Sequence, residues 1–396
     1  MKEYVVGRNE AGKRLDKLLL KVLNQAPSSF VYKMLRKKNI KLNEKKADGN
    51  ELLTEGDRIQ IYLSDETFAK FHADSAAYGD GKLDVLSQDH TDKKKRRELK
   101  PSDILYEDAD VMIMNKPAGV LSQKAAQEDD SINEQMIRYL LAQGKLTREQ
   151  LETYTPSVCN RLDRNTSGIV MAGISLSGSQ ELSRMLKSRS LNKYYLALVA
   201  GRIEEAETHT AYLKKDERTN TVVVSRDQFE RENIQNVQSS QGGRMIGTDR
   251  ESNALENATQ SVHDGQRIVT EYRPLYTNQD YTLLEVHLIT GKTHQIRAHL
   301  AYLNHPIIGD AKYGKKRLNQ EFRQSFGIQN QCLHAWRVEF PENTTLQTAG
   351  RQWSAPLPGK MNLAYKQIFD VDINAGFHTD HSKNQNVDIN IDDESN

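Results

Sequence analysis

A long polar stretch constrains this chain most, because it separates two blocks that each hold the hydrophobic residues of a folded unit. Residues 65–102 combine Gly, Asp and Ser with a charged run from Lys93 to Arg97. The chain has 396 residues, more than one small core needs. We therefore predict a small domain over 1–64, a flexible linker over 65–102 and a larger domain over 103–358.

The first block has the pattern of two helices and a small sheet. Hydrophobic residues recur at helical spacing over 14–24, and Pro27 opens a second helix. Alternating runs near 40–42 and 59–63 predict strands. Residues 13–46 hold eleven Lys and Arg against two acids, although the whole chain carries a net charge of only +1. This local patch indicates a polyanionic partner, and its densest cluster is Arg36, Lys37 and Lys38.

Two other segments lack a folding pattern. Residues 228–263 are rich in Gln, Asn and Ser, which predicts a flexible insertion in the larger domain. The last segment, 359–396, is acidic: residues 367–396 hold seven acids against one Lys. It is predicted to be a disordered tail.

Composition excludes several classes of protein. No apolar run approaches the roughly 20 residues of a membrane span, and the N-terminus lacks the apolar core of a secretory signal. Only two cysteines occur, Cys159 and Cys332, which excludes a disulfide framework and fits a reducing cytoplasm. We expect a cytoplasmic monomer with no membrane contact.

The first segment with chemical potential is a loop around Asp163. This carboxylate lies between Arg161 and Arg164, and Asn, Thr, Ser and Gly follow it as far as Gly168. Such a loop bends sharply and brings backbone close to a ligand, and the arginines favour the ionised carboxylate. An ionised carboxylate in a shielded cleft is a nucleophile or a base. The alternative is an ordinary surface ion pair.

A second segment is the strand pattern over 193–201. Strand alternation places Tyr194 and Tyr195 on opposite faces, so that one phenol faces a cleft while the other packs outward. The phenol in the cleft is suited to stacking on a base or to proton transfer. The alternative is a pair of ordinary sheet aromatics.

A third segment runs from a strand through Gly291 into a helix. Helix N-termini attract anions, and Lys292, His294 and Arg297 add positive charge there. His294 and Arg297 share one helix face. Arg297 has the geometry to grip a carboxylate or a phosphate with two N–H groups. The alternative is a solvated basic helix face.

Neither metal nor nucleotide-cofactor chemistry is indicated. The histidines lack the spacing of metal ligands: His294 and His299 are five residues apart, on different helix faces. Gly242–Gly243 has no P-loop lysine and lies in the polar insertion. We expect no metal and no cofactor.

Taken together and in this order, the segments resemble the RluA family of pseudouridine synthases. The resemblance covers about 103–357 and adds segments ending in Asn115-Lys116-Pro117-Ala118-Gly119 and beginning at His305-Pro306. The first block resembles an S4 RNA-binding domain. One departure is Asn160, which stands where the family usually has histidine.

The resemblance implies an α+β catalytic domain with a mixed, largely antiparallel sheet and a central cleft, preceded by a small α/β S4-like domain. It implies that Asp163 is the nucleophile, attacking C1′ of the ribose or C6 of uracil, a choice that stays open. Arg297 would pair with Asp163, and Tyr195 would stack on the uracil and assist proton transfer. No cofactor is implied, because isomerisation has no redox step.

The implied partner is structured RNA, with large-subunit ribosomal RNA favoured and tRNA as the alternative target. The target uridine must leave its stack, and phosphates would meet the cleft through Arg161, Arg164, Lys292 and His294. Binding through phosphates by the basic patch depends little on sequence. Two alternative functions are a catalytically inactive S4-type RNA-binding or ribosome-assembly protein and a glycosidase, which needs a second placed carboxylate.

Overall fold

The computed structural model describes residues 1–72, 97–126, 128–216, 221–225 and 265–376. These residues form two units, each an α+β arrangement with its own sheet. The predicted insertion, 228–263, lies outside the described residues.

The N-terminal unit packs three helices on a four-stranded sheet of order β1-β4-β2-β3. Its first helix buries Leu15, Leu18, Leu19 and Val22, the stripe that its helical spacing predicted. Its elements are β1 (Lys2–Val5), α1 (Leu15–Val22), α2 (Ser28–Arg36), β2 (Ile40–Leu42), β3 (Lys45–Lys46), β4 (Arg58–Ile61) and α3 (Asp65–Phe71).

The second unit is built on an 11-stranded sheet. Nine strands follow the order β11-β10-β12-β13-β9-β14-β8-β6-β5, while β7 pairs with β8 and β15 with β14. Every pairing is antiparallel except that of β14 with β8. The strands are β5 (Ile104–Glu107), β6 (Val111–Lys116), β7 (Ser157–Val158), β8 (Ser167–Gly173), β9 (Asn192–Ala200), β10 (Glu207–Asp216), β11 (Thr221–Ser225), β12 (Gln266–Thr277), β13 (Tyr281–His287), β14 (Leu333–Glu339) and β15 (Gln352–Ser354).

Helices cover this sheet and complete its core. The main core joins residues of the central strands to the apolar sides of several helices. The predicted mixed, largely antiparallel sheet is therefore confirmed. The helices are α4 (Ile132–Ala142), α5 (Arg148–Thr153), α6 (Leu176–Ser188), α7 (Gln295–Tyr302), α8 (Lys316–Phe326) and α9 (Gly359–Phe369).

The parallel pair of β8 and β14 depends on one glycine. Gly168 has φ +112°, a conformation that L side chains rarely adopt, and a Cβ there would lie 2.2 Å from the carbonyl oxygen of Ala335. Only glycine allows this approach. The strand therefore leaves the Asp163 loop directly against β14, at the centre of the sheet.

The N-terminal unit docks on the second unit through polar contacts. Arg8 donates to both carboxylate oxygens of Asp110 at 3.0 and 2.8 Å. The ammonium groups of Lys13 and Lys21 both donate to the carbonyl of Thr153, at 3.0 and 3.2 Å. Thr153 is the last residue of α5, where helix carbonyls lack partners within the helix and attract cations.

The structure corrects the predicted linker at both of its ends. Residues 65–71 are the helix α3, whose Phe68 is buried in the N-terminal core. At the other end Leu99 is buried in the main core, and Arg97 pairs with Asp103 at 2.7 Å. These short segments are mostly polar, so composition alone did not reveal the apolar residues that bury them, Phe68 and Leu99. Residues 73–96 lie outside the described part.

The predicted disordered tail is also wrong over its first part. Residues 359–369 are the helix α9, which buries Met361, Ala364 and Tyr365 against the main core. The acidic residues that suggested disorder lie mostly beyond 376, outside the described residues. None of the described helices is both long and apolar enough to cross a bilayer.

Candidate active site

Two neighbouring side chains fix the loop that carries Asp163 by hydrogen bonds to its backbone. Ser122 exchanges two hydrogen bonds of 3.0 Å with the backbone N–H and carbonyl of Leu162. The fully buried Lys116 ammonium donates to the carbonyl of Arg164 at 3.1 Å, as well as to those of Pro117 and Val120. The loop is thus held in one conformation, and its carboxylate is presented to the cleft.

The burial of Lys116 has an electrostatic consequence. Loss of solvation lowers the pKa of its ammonium to about 7, and the nearby charge of Asp163 opposes that shift only in part. Three carbonyl acceptors replace the water that the ammonium would otherwise bind. Lys116 therefore links the segment 117–120 to the loop that carries Asp163.

Asp163 and Arg297 meet although 134 residues separate them in sequence. Arg297 donates from one terminal nitrogen to Asp163 Oδ2 at 2.6 Å. Its Nε and its other terminal nitrogen bind both oxygens of Asp310, at 2.7 and 2.9 Å. The side chain of Asp310 is fully buried, that of Arg297 is 7% exposed and that of Asp163 is 26% exposed. The guanidinium is therefore clamped at one end, while the carboxylate of Asp163 remains accessible to substrate.

This clamp keeps both buried partners charged. Burial alone would lower the pKa of Arg297, but hydrogen bonds and charge from Asp310, and then from Asp163, raise it above its ordinary value. Burial alone would raise the pKa of Asp310. Hydrogen bonds and charge from Arg297, and then the backbone N–H groups of Tyr313 and Lys312, hold it below its usual range.

The two tyrosines of β9 separate as alternation predicts. Tyr195 is buried and lines the cleft beside Asp163. Burial, and secondarily the charge of Asp163, raise the pKa of its phenol, so it stays protonated. Tyr194 lies on the other face, where it stacks on His287 at 4.8 Å and carries the Arg337 guanidinium at 4.1 Å. Tyr195 is therefore the phenol available to a base in the cleft.

The side chain of His294 is more enclosed than expected for a residue that binds a phosphate at the surface. It precedes α7 with φ +55°, and its Nε2 lies 3.9 Å from Asp163 Oδ2. Its Nδ1 lies 2.9 Å from the hydroxyl of Tyr313, whose ring also packs on the Arg297 guanidinium at 5.3 Å. Burial is the main cause of a lowered pKa at His294, and Asp163 opposes it. His294 and Tyr313 thus form one wall around Asp163.

The remaining predicted residues divide into two groups. Arg161, Arg164 and Lys292 are exposed and line the same cleft, which has a volume of about 1050 Å³. That volume is at the upper end for pockets that enclose one small ligand. The second group is exposed on the N-terminal unit, away from the residues that line the cleft: Arg36, Lys37 and Lys38.

Asp310 and Tyr313 were not among the predicted site residues. Asp310 ends the His305–Asp310 segment that contributed to the resemblance, and Gly309 before it has φ +80°. A buried acid after such a glycine, near a helix that carries an arginine, was the available signal. Tyr313 had none, because only the turn after Asp310 brings it back over Arg297.

Asn160, the departure from the family pattern, has a structural position. Its amide donates to the carbonyl of Ile169 at 3.2 Å, and its oxygen accepts from the N–H of Met171 at 2.7 Å. Both are backbone groups of β8, so the side chain ties the start of the loop to that strand. Among the residues that the structure describes, no group of three or more His, Cys, Asp or Glu is placed to hold a metal ion.

The site thus presents an accessible carboxylate, a clamped guanidinium and a protonated phenol in one basic cleft. Comparisons with known proteins agree with this chemistry. The family model described as RNA pseudouridylate synthase matches residues 110–302. Ribosomal large subunit pseudouridine synthase C of Pasteurella multocida is 27% identical over 366 residues, which cover 91% of this chain and 92% of that protein.

Two further comparisons concern an uncharacterised relative and a solved structure. An uncharacterised RNA pseudouridine synthase of Mycoplasma genitalium is 26% identical over 343 residues, covering 87% of this chain and 90% of that protein. The solved structure of human RNA Pseudouridylate Synthase Domain Containing 4 is 18% identical, with a TM-score of 0.47 over 67% of this chain and 92% of that one.

Motifs, site and sequence relatives together define an RNA-modifying isomerase. The family model and these relatives support a pseudouridine synthase of the RluA family. The resemblance that the motifs predicted is thereby confirmed.

Proposed function

We propose that this enzyme converts specific uridines of large-subunit ribosomal RNA to pseudouridine, with Asp163 as the nucleophile. The observation that carries the proposal is the geometry of Arg297. It is clamped by the buried Asp310 and donates to Asp163 at 2.6 Å, which leaves the second carboxylate oxygen free for substrate. The choice of RNA is supported by relatives that are named ribosomal large subunit pseudouridine synthases.

In the proposed reaction Asp163 attacks the nucleoside at C1′ or at C6. The bond between C1′ and N1 breaks, the uracil turns within the cleft, and a bond from C1′ to C5 forms. The bond to Asp163 breaks and frees the carboxylate, C5 loses its proton and N1 gains one. Arg297 orients the carboxylate, and Tyr195 stacks on the base and assists proton transfer. No electron acceptor is consumed, because the product is an isomer of the substrate. The proposal requires no cofactor.

The target uridine must leave its stack to reach Asp163. Arg161, Arg164 and Lys292 are exposed at the cleft and are proposed to hold nearby phosphates, together with His294. The basic cluster at Arg36–Lys38 would follow the RNA backbone farther away, as an S4-like module does. Selectivity would then come from the shape of the RNA. We propose that the enzyme acts as a cytoplasmic monomer.

The decisive variant is Asp163→Asn, which keeps the shape of the side chain but removes its nucleophilic charge. We expect no release of tritium from ribosomal RNA labelled at C5 of uridine, and unchanged RNA binding in a filter assay. Asp280→Asn, at an exposed carboxylate outside the cleft, serves as the matched control with full activity. Measurable tritium release by Asp163→Asn would remove the nucleophile assignment.

The target position requires a separate measurement. Carbodiimide-dependent primer stops would be mapped on ribosomal RNA and tRNA from cells with and without the gene. We expect stops that depend on the gene in large-subunit ribosomal RNA. Stops that depend on it only in tRNA would contradict the proposed target but leave the chemistry intact.

A further inference from the structure

Two cations that the mechanism does not use line the cleft at the junction of α6 and β9. Arg189 is the first residue after α6, and Lys193 is the second residue of β9. Both line the same cleft as Asp163. Side chains two residues apart share a face of a strand, so Lys193 lies on the side of Tyr195, about 7 Å along the strand.

Within the part of the chain that the structure describes, neither cation has a carboxylate partner. Among the ion pairs of the described residues, none involves Lys193 or Arg189, whereas less exposed arginines elsewhere in the chain are paired. Burial, and then the charge of Arg189, lower the pKa of the Lys193 ammonium. The two positive charges therefore act on each other without compensation. These paired arginines are Arg97 with Asp103, Arg138 with Asp130 and Arg337 with Glu285.

The backbone conformation of Arg189 is also energetically unfavourable for an arginine. Its φ and ψ are 60° and 27°, the left-handed conformation after a helix that most favours glycine. An arginine at this position places a long cationic side chain at the cleft in a conformation that is unfavourable for its backbone. Strained backbone of this kind is concentrated at functional sites.

A partly buried cation without a partner, such as Lys193, destabilises the free protein. An anion that enters between Lys193 and the exposed Arg189 removes that cost. A guanidinium beside an ammonium is a typical pair of ligands for a phosphate. In the function proposed above, the cleft receives a polyanion. Tyr195, two residues along β9 from Lys193, is the residue proposed to stack on the base. A phosphate bound at Lys193 would therefore belong to the same RNA strand as that base.

We propose that Lys193 and Arg189 form a subsite for a backbone phosphate of the RNA strand that carries the target uridine. This inference rests on the proposed function and deepens it, because it fixes the direction in which the strand leaves the catalytic pocket. The RNA strand would run from Tyr195 toward the start of β9 and the end of α6.

The test measures binding rather than turnover, with the full chain and a short fluorescent oligocytidylate. This probe supplies phosphates but no base that the enzyme can isomerise. Dissociation constants are measured by anisotropy at increasing salt for the wild-type chain, Lys193→Gln and Arg189→Gly. Lys187→Gln is the matched control, because Lys187 is an exposed cation of α6 that does not line the cleft.

We expect each cleft variant to bind more weakly and to lower the slope of log Kd against log salt by about 0.7, the value for one contact to a single-strand phosphate. The control should keep the wild-type slope. Unchanged slopes in both cleft variants would overturn the proposal. So would displacement of the probe by inorganic phosphate at an equal concentration of phosphate groups, since the subsite would then serve free phosphate and not an RNA strand.

Thermal unfolding separates this role from a structural one. If the two cations are kept for RNA, Lys193→Gln and Arg189→Gly should have an unchanged or higher Tm while RNA binding falls. A lower Tm with an unchanged salt slope would make them ordinary structural residues. The outcome is independent of the Asp163→Asn experiment, because neither binding nor unfolding requires the isomerisation to occur.

Discussion

Asp310 decides how Arg297 can act on Asp163. It binds two nitrogens of the guanidinium and leaves one for the carboxylate. Because Asp310 is fully buried, its two hydrogen bonds act in a low dielectric and resist displacement. The orientation of Asp163 is therefore set indirectly, by a residue with no access to substrate, and Asp310 is a positioning residue.

We predict that Asp310→Asn lowers kcat far more than it raises KM for RNA. The amide keeps the volume but loses the charge and one acceptor, so Arg297 can turn away from Asp163. Breaking a buried ion pair also costs about 3–5 kcal/mol of unfolding free energy. Steady-state kinetics below the lowered Tm measure the split between kcat and KM. Partial rescue of kcat by Asp310→Glu is expected, and an unchanged kcat in folded Asp310→Asn would contradict the positioning role.

His334 makes stability depend on pH. Its Nε2 donates to the carbonyl of Ala355 at 3.0 Å, so its Nδ1 accepts from Ser167 at 2.8 Å and the ring is neutral. Burial lowers its pKa to about 4, with a smaller opposing effect of the Ala355 carbonyl. The unfolded chain, with an ordinary histidine pKa near 6.5, takes up the proton first as pH falls.

Stability from His334 is therefore complete above about pH 6.5 and is lost as pH falls toward 4, by about 3 kcal/mol in total. Denaturant unfolding at several pH values measures this slope. His334→Gln cannot titrate, so we expect a less stable protein at neutral pH with a flatter profile in the acid range. An equally steep profile in that variant would assign the pH dependence to other groups.

The residues of the site differ in how far sequence could reveal them. Asp163, Tyr195 and Arg297 each lie in a local pattern with a chemical meaning, and their ordered resemblance to one family singled them out. Asp310 and Tyr313 contribute only after the chain folds back over α7. No spacing along the sequence encodes that contact, because it depends on the turn after Gly309. The cost of the unpaired Lys193 is likewise visible only once burial is known.

At the scale of elements, apolar periodicity predicted the helices that bury one clear face. It failed at α9, where acidic composition downstream obscured Met361, Ala364 and Tyr365. A helix of 11 residues that closes a core is not distinguished by average charge. Its place in the fold is marked by three buried side chains, and the largest of them, Tyr365, is fully inaccessible to solvent.

We predict that Tyr365→Ala destabilises the protein by about 3–5 kcal/mol, as expected for a large aromatic removed from a core. Leu363→Ala, at a position of the same helix that is 49% exposed, should change stability little. The hydroxyl of Tyr365 has no hydrogen-bond partner among the described residues. Tyr365→Phe should therefore be neutral or stabilising by about 1 kcal/mol. Equal losses for Tyr365→Ala and Leu363→Ala in denaturant unfolding would show that α9 is peripheral.

At the scale of the whole molecule, two basic surfaces are held in a fixed relation. The cluster at Arg36–Lys38 belongs to the N-terminal unit, and the cleft belongs to the second unit. Their relation is set by the contacts of Arg8, Lys13 and Lys21 with Asp110 and the end of α5. Burial, and then the charge of Lys21, lower the pKa of Lys13 to about 8. Lys13 and Lys21 thus contribute to the docking of the two units.

This arrangement predicts that undocking the units impairs catalysis on long RNA without unfolding either unit. In Arg8→Ala/Lys13→Ala/Lys21→Ala the basic cluster remains, but an RNA bound there no longer reaches the cleft at the same effective concentration. We expect kcat/KM to fall on large-subunit ribosomal RNA and to change little on a short hairpin that contains only the target uridine. The matched variant Lys17→Ala/Lys33→Ala removes two exposed cations of α1 and α2 that do not dock, and it should keep the ratio of the two activities. An equal loss on both RNAs in the docking variant would mean that these contacts stabilise the active site itself and do not link two RNA-binding surfaces.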